Sequence, residues 1–262
     1  MTWLHSINWV YSASGFGIGL LVGFTGVGGG SLMTPLLVLL FGFHPSTAVG
    51  TDLLYAGLTK SGGTAVHGFN KTVDWRIVGR LALGSLPGTA ATLIALSFID
   101  TGSAKAGATI NTVLGVALIL TALTLVLRRW IQARMARLSE RLTDRQTFAL
   151  TVALGLFLGV MVSLTSVGAG AIGVTVLLVL YPRMPTVRIV GSDIAHAVPL
   201  TLLAGAGHWW VGSVDWALLG SLLVGSLPGI AVGSQLASRV PDAVLRPILA
   251  GTLVIVGARL AL

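Results

Sequence analysis

Long apolar runs separated by short polar clusters dominate the chain, for example Leu81–Ser97 and Val113–Leu127. Neither alternates apolar and polar residues over about ten positions, as membrane β-strands do. With their flanks they reach the roughly 20 residues of a membrane-spanning helix. Six segments of that kind are expected: Ser46–His67, Trp75–Phe98, Lys105–Leu127, Pro185–Trp209, Trp216–Ala237 and Ala243–Leu262. Two other stretches, Tyr11–Phe43 and Phe148–Tyr181, are apolar but interrupted by glycine clusters. As a single helix each would measure about 45 Å, well beyond a hydrocarbon core of about 30 Å, while each piece alone is too short to cross comfortably. The pattern predicts a broken or re-entrant helix pair at both places.

The elements recur. Gly84-Ser85-Leu86-Pro87-Gly88 returns 141 residues later as Gly225-Ser226-Leu227-Pro228-Gly229. The same shift relates Val73-Asp74-Trp75 to Val214-Asp215-Trp216, His67 to His208, and Gly50-Thr51-Asp52 to Gly191-Ser192-Asp193. With a one-residue slip, Thr25–Gly30 aligns with Thr165–Gly170. An internal repeat of this length divides the chain into a first transmembrane repeat (1–128), an arginine-rich linker (129–145) and a second transmembrane repeat (146–262). Six arginines between Arg128 and Arg145 suggest a short amphipathic, solvated linker.

Composition narrows the class. Hydrophobic residues make up 54% of the 262 and charged residues 9%, too few charges for a soluble surface. The chain has no cysteine, which excludes disulfides and zinc–cysteine sites. A net charge of +8 is expected to orient the protein in the bilayer rather than bind nucleic acid. If each interrupted stretch returns to its starting side, one face collects Lys71, Arg76, Arg80, the six linker arginines, Arg183, Arg188, Arg239 and Arg246, and the other only Lys105 and Arg259. If each crosses once, the same residues split ten to five. The positive-inside bias selects the first arrangement. The expected fold is therefore an all-α polytopic membrane protein of two inverted-topology repeats. Each has a glycine-broken helix pair followed by three transmembrane helices, with the linker cytoplasmic and both termini outside. The N-terminus lacks a basic n-region, so no cleaved signal peptide is expected. Inverted repeats with discontinuous helices characterise secondary transporters, whose substrate site lies where the breaks meet.

The breaks are the first candidates for that site. Glycine lets the backbone turn, and the N–H groups opening the next half-helix lose intrahelical partners. An anion is a natural ligand there, because the half-helix N-terminus carries partial positive charge. This assigns substrate contacts to Thr25, Gly28, Gly29, Gly30 and Ser31 in the first half, and to Thr165, Ser166, Gly168, Ala169 and Gly170 in the second. The competing reading is close helix packing by small residues, which suits Gly15, Gly19 and Gly23 well. Asp52 and Asp193 occupy equivalent places within spans and serve proton coupling or gating, unless they reach the interface or cap a local helix start. Lys60 lies mid-span, eight residues after Asp52, and either attracts the anion or forms a structural ion pair. His196 aligns with Tyr55, one turn beyond the aspartates, and both are gating candidates. His67 and His208 are expected as interfacial hydrogen-bonding groups, Pro87 and Pro228 as kinks, and Arg76 and Arg80 as snorkelling cations. Gly168–Gly173 formally matches GxGxxG but has no βαβ context, and the chain has no HExxH, GxSxG or Walker A sequence. No cofactor, no metal and no enzymatic activity are expected.

The glycine break followed by Ser31-Leu32-Met33-Thr34-Pro35-Leu36-Leu37, together with Gly50-Thr51-Asp52 and the duplicated Gly-Ser-Leu-Pro-Gly, resembles the sulfite exporter TauE/SafE family. The resemblance covers nearly the whole chain. In the second half Ala169 breaks the glycine run and Thr175 stands where the first has Pro35. The resemblance implies an inner-membrane carrier of sulfite, sulfonates or related anions, with the bilayer and a small anion as partners. A homodimer stays open. The residues alone imply a transporter of a small anion. Export of a sulfur oxyanion is the leading expectation and proton-coupled uptake of an organosulfonate the alternative.

Overall fold

The computed structural model describes residues 7–25, 30–139, 142–236 and 242–261. Among them, ten helices and no strands are present. The first half contributes α1 (Trp9–Thr25), α2 (Gly30–Leu39), α3 (Pro45–Phe69), α4 (Trp75–Ser97) and α5 (Ala104–Ser139). The second contributes α6 (Asp144–Thr165), α7 (Ala171–Leu180), α8 (Thr186–Trp210), α9 (Trp216–Leu236) and α10 (Asp242–Ala261). Five helices, α4, α5, α6, α8 and α9, are long and apolar enough to cross a membrane. The arginine linker differs from its expected form, because α5 runs unbroken through 36 residues to Ser139 and absorbs most of it. No proline or glycine interrupts the polar continuation beyond Leu127, so the helix has no local reason to stop there.

The repeated motifs explain how helices start and how the halves interlock. Asp74 caps α4 by accepting from the N–H groups of Arg76 and Ile77, and Asp215 accepts from Leu218 at the equivalent start of α9. Each cap is held by the other half. Asp74 N–H donates to Ser192 Oγ at 2.8 Å and Asp215 N–H to Thr51 Oγ1 at 3.0 Å. The Gly50-Thr51-Asp52 motif and its copy thus tie the two repeats together through the middle residue. Gly50 and Gly191 permit that approach, since a Cβ at either would collide with the carbonyl of Ser213 or Thr72.

Most of the strong helix pairings join the halves, and they exchange with the repeat: α1 lies along α9 as α6 lies along α4. In these parallel pairs backbones touch at glycine. Gly84 meets the Val152 carbonyl and Gly225 the Ser12 carbonyl, so no side chain fits at either. Gly15, Gly19 and Gly23 also pack against α9, as the small-residue reading anticipates. The equivalent helices α3 and α8 run antiparallel, with Gly50 near His208, Gly57 near Leu202 and Gly63 near Ile194. The same sense holds for α5 and α10, where Gly115 meets Ala261 and Gly257 meets Ile119.

Both interrupted stretches turn back on themselves. At the end of α7, Tyr181 Oη bonds Thr151 Oγ1 near the start of α6 at 2.8 Å. Just beyond α2, the rings of Phe41 and Phe43 pack edge-on against Tyr11 in the first turn of α1. Trp9, Trp75, Trp209, Trp210 and Trp216 are exposed at helix ends, where an interfacial belt belongs.

Candidate functional site

α3 and α8 cross at the centre and carry most of the buried charge. Asp52 and Asp193 are 0% and 1% exposed, which removes the interface-snorkelling and helix-capping readings for both. The carboxylates are treated differently by the two breaks. Thr34 Oγ1, in α2, donates to Asp52 Oδ2 at 2.5 Å. The hydroxyl of Ser166, from the break of the other half, faces the same carboxylate without closing a bond, and Asp52 Oδ1 and Ser166 Oγ stay buried and unpartnered. Asp193 instead faces the N–H of Gly170, at the start of α7. It presses so closely on Gly173 that a Cβ there would collide with Oδ1. α7 has no side-chain cap. A resident carboxylate therefore occupies the position at which an anion meets a half-helix N-terminus.

Lys60 lies within electrostatic reach of Asp52, Asp193 and His196. Among the described residues the ion pair within 4.0 Å is Arg188–Asp74, so Lys60 acts on both carboxylates at longer range rather than pairing with either.

The second half's break is held by its own backbone. Ser166 takes the left-handed conformation (φ 59°), and Gly168 and Gly170 have φ of 115° and 111°, values that favour glycine. Thr165 Oγ1 accepts from the Val167 N–H at 3.1 Å and donates to the Met161 carbonyl, so it closes the end of α6. The carbonyl of Ser163, near that end, accepts from His208 Nε2 at 2.9 Å. His208 is thus a buried partner of the broken helix, whereas the matched His67 is partly exposed and bonds Thr72 at 2.7 Å. The interfacial expectation fails for His208 because α3 and α6 cover it. In the first half, Thr25 ends α1, Gly30 opens α2 and Ser31 is buried, while Gly28 and Gly29 lie outside the described residues.

Three groups escaped the sequence reading. His196 Nε2 bonds Ser85 Oγ of α4 at 2.8 Å, and Tyr55 faces Ser226 of α9 in the matched place without closing a bond. All four are buried, so the serines of the duplicated Gly-Ser-Leu-Pro-Gly meet the gating candidates of the opposite half. Their glycines contact α6 and α1. Thr34 is the third. Duplication marked the serines as paired, but not which way they point.

A family profile described as "Sulfite exporter TauE/SafE" matches residues 11–260. The chain belongs to the sulfite exporter TauE/SafE family. Curated relatives agree. The probable membrane transporter protein YjnA of Bacillus subtilis (strain 168) is 37% identical over 247 residues, covering 94% of this chain and 96% of the relative. YdhB of the same organism, also a probable membrane transporter protein, is 29% identical over 253 residues, covering 92% and 97%. A probable membrane transporter protein of Xylella fastidiosa is 24% identical over 227 residues, covering 86% and 83%. No solved structure matches the chain. As a member of this family with several apolar helices of spanning length, the protein is a multi-pass membrane transporter.

Proposed function

We propose that this transporter exports small sulfur oxyanions, of the sulfite or organosulfonate class, across the cell inner membrane. The anion is held between the two helix breaks. Thr25, Gly28–Ser31, Thr165, Ser166, Gly168–Gly170 and Lys60 supply its contacts, and Asp52, Asp193, His196 and Tyr55 act as gates. The carrying observation is the meeting of buried Asp52, Asp193 and His196 with the half-buried Lys60 between α3 and α8, beside the start of α7. An incoming oxyanion competes with Asp193 for the Gly170 N–H and with both carboxylates for Lys60. Each bond to a charged acceptor is worth about 1.5–3 kcal/mol.

The antiparallel α3/α8 and α5/α10 pairs, and the return of both broken stretches, support an inverted repeat in the membrane. Under it, the thirteen cations on one side put the arginine linker in the cytoplasm and both termini outside. An inside-negative potential then favours anion exit by about 2.3 kcal/mol per charge per 100 mV.

Proton-coupled uptake of an organosulfonate is the second reading. Two carboxylates around one ammonium leave the cluster negative, and a proton arriving with the anion offsets that charge. Radiolabelled sulfite flux in proteoliposomes decides between them. Export predicts flux that follows an imposed potential at equal pH on both sides. Flux that ignores the potential and follows a pH jump selects the alternative. No flux of sulfite or of any sulfonate under either gradient removes both.

A further inference from the structure

A second basic feature lies apart from the central cluster. Where α4, α6, α7 and α8 meet near the Lys71 turn, a cavity of about 390 Å³ is lined by Arg80, Arg183 and Arg188, with Asp144, Thr147 and Tyr181. Three guanidinium groups share it with one carboxylate. Asp144 stands in the first turn of α6, where the helix dipole already favours it.

Two of the arginines, Arg80 and Arg188, are positioned by named partners. Arg80 Nη1 donates to Tyr181 Oη at 3.1 Å, its guanidinium lies over the Phe148 ring, and Thr151 fixes the tyrosine hydroxyl. Among the described residues no carboxylate lies within 4.0 Å of Arg80. Arg188 gives Nη2 to Asp74 at 3.2 Å but keeps its Nε buried without a partner. The N-terminus of α8, beside Pro185 in the cavity wall, has no side-chain cap. Forked donors and an uncapped helix start suit a compact oxyanion.

The repeat-related positions are occupied differently. There the repeat puts Ser221, Phe41 and Tyr11 where this mouth has Arg80, Tyr181 and Thr151. Ser221 is tied to Asn8 and Ser12, and Tyr11 is covered by Phe41 and Phe43. The positive-inside bias accounts for cations on this face, but not for the convergence of three of them on one cavity.

We propose that this cavity is a capture site for a tetrahedral oxyanion, the chemistry shared by a free sulfate-like ion and a lipid phosphate headgroup. It rests on the export reading only for its direction: the mouth loads anions on the side from which they leave.

Radiolabelled sulfate binding to the full chain in phosphatidylcholine nanodiscs tests it. Arg80→Gln with Arg183→Gln is expected to weaken sulfate binding by about tenfold or more, the loss of a charge-assisted contact. Arg80→Lys, which keeps the charge but not the fork, gives a smaller loss and shows that the fold survives. Lys105→Gln, an exposed cation outside both sites, leaves this binding in place. Adding phosphatidylglycerol separates the sources: displacement of sulfate makes a lipid headgroup the occupant, and no displacement makes it the free ion. Equal sulfate affinity in the wild type and the double glutamine variant overturns the capture site. So does equal loss in Lys105→Gln, which would reduce the effect to overall charge. Sulfite flux, measured separately, leaves the export reading to stand or fall by itself.

Discussion

The two breaks come from one duplicated motif, yet they hold their aspartates in different ways. Asp52 is met by Thr34 of α2, through its hydroxyl and its backbone, and looks across at the hydroxyl of Ser166 of the other half. Asp193 is met by backbone, at Gly170 and Gly173 of its own half. A hydroxyl can turn away from a carboxylate, whereas a helix N-terminus cannot turn without moving the helix. Because hydroxyl contacts add to the backbone only at Asp52, we propose that the second half holds the fixed side of the site and the first half the adaptable one.

The largest expected effect sets the frame of that comparison. Gly84→Val and Gly225→Val each force a side chain into a neighbouring carbonyl, of Val152 or Ser12. Overpacking costs about 1–3 kcal/mol where side chains yield, and more where only backbone is available. Both variants should lose the monodisperse, folded protein in size-exclusion chromatography. Tolerance at one glycine and not the other would mean that the α1–α9 and α4–α6 pairs are not equivalent.

Next comes Gly173→Ala. Its added methyl collides with Asp193 and should cut sulfite flux in proteoliposomes by about tenfold or more, corresponding to roughly 1.4 kcal/mol. Thr34→Val, its counterpart in the adaptable half, removes one hydrogen bond to a carboxylate and should cost less flux. The reverse order would overturn the assignment of fixed and adaptable sides.

Lys60→Met should raise the half-saturating sulfite concentration severalfold while the maximal rate falls less, because the shared ammonium serves affinity. Unchanged saturation would leave Lys60 a purely structural counter-ion. The smallest effect is expected of the serines. Ser85→Ala removes the partner of His196 and should lower stability by about 1 kcal/mol. Ser226→Ala, whose hydroxyl closes no bond with Tyr55, should leave thermal unfolding nearly unmoved. Equal shifts would show that the two cross-half pairs are the same in solution.

Much of this was legible without coordinates. Periodicity and span length gave the helix positions, and the 141-residue shift gave the repeat. Asp52 with Asp193, and Tyr55 with His196, followed from matched places in that repeat. Other features were not legible. Sequence spacing puts Lys60 eight residues from Asp52 on one helix, but its second carboxylate comes from α8, far along the chain. His67 and His208 look alike in sequence and differ in burial, since the neighbours of each belong to different helices. Arg80 looks like a snorkelling cation until Tyr181 is beside it.

Apolar run length, glycine placement and loop charge are local properties of the chain, so the sequence by itself determined a multi-pass helical protein with two broken helix pairs. Which donor meets which carboxylate depends on helix crossing and on how closely backbones approach, and glycine sets these only once two helices are brought together. Tertiary structure alone therefore decided that Asp193 faces the start of α7, that Thr51 and Ser192 hold the caps of the opposite half, and that Arg80, Arg183 and Arg188 line one cavity.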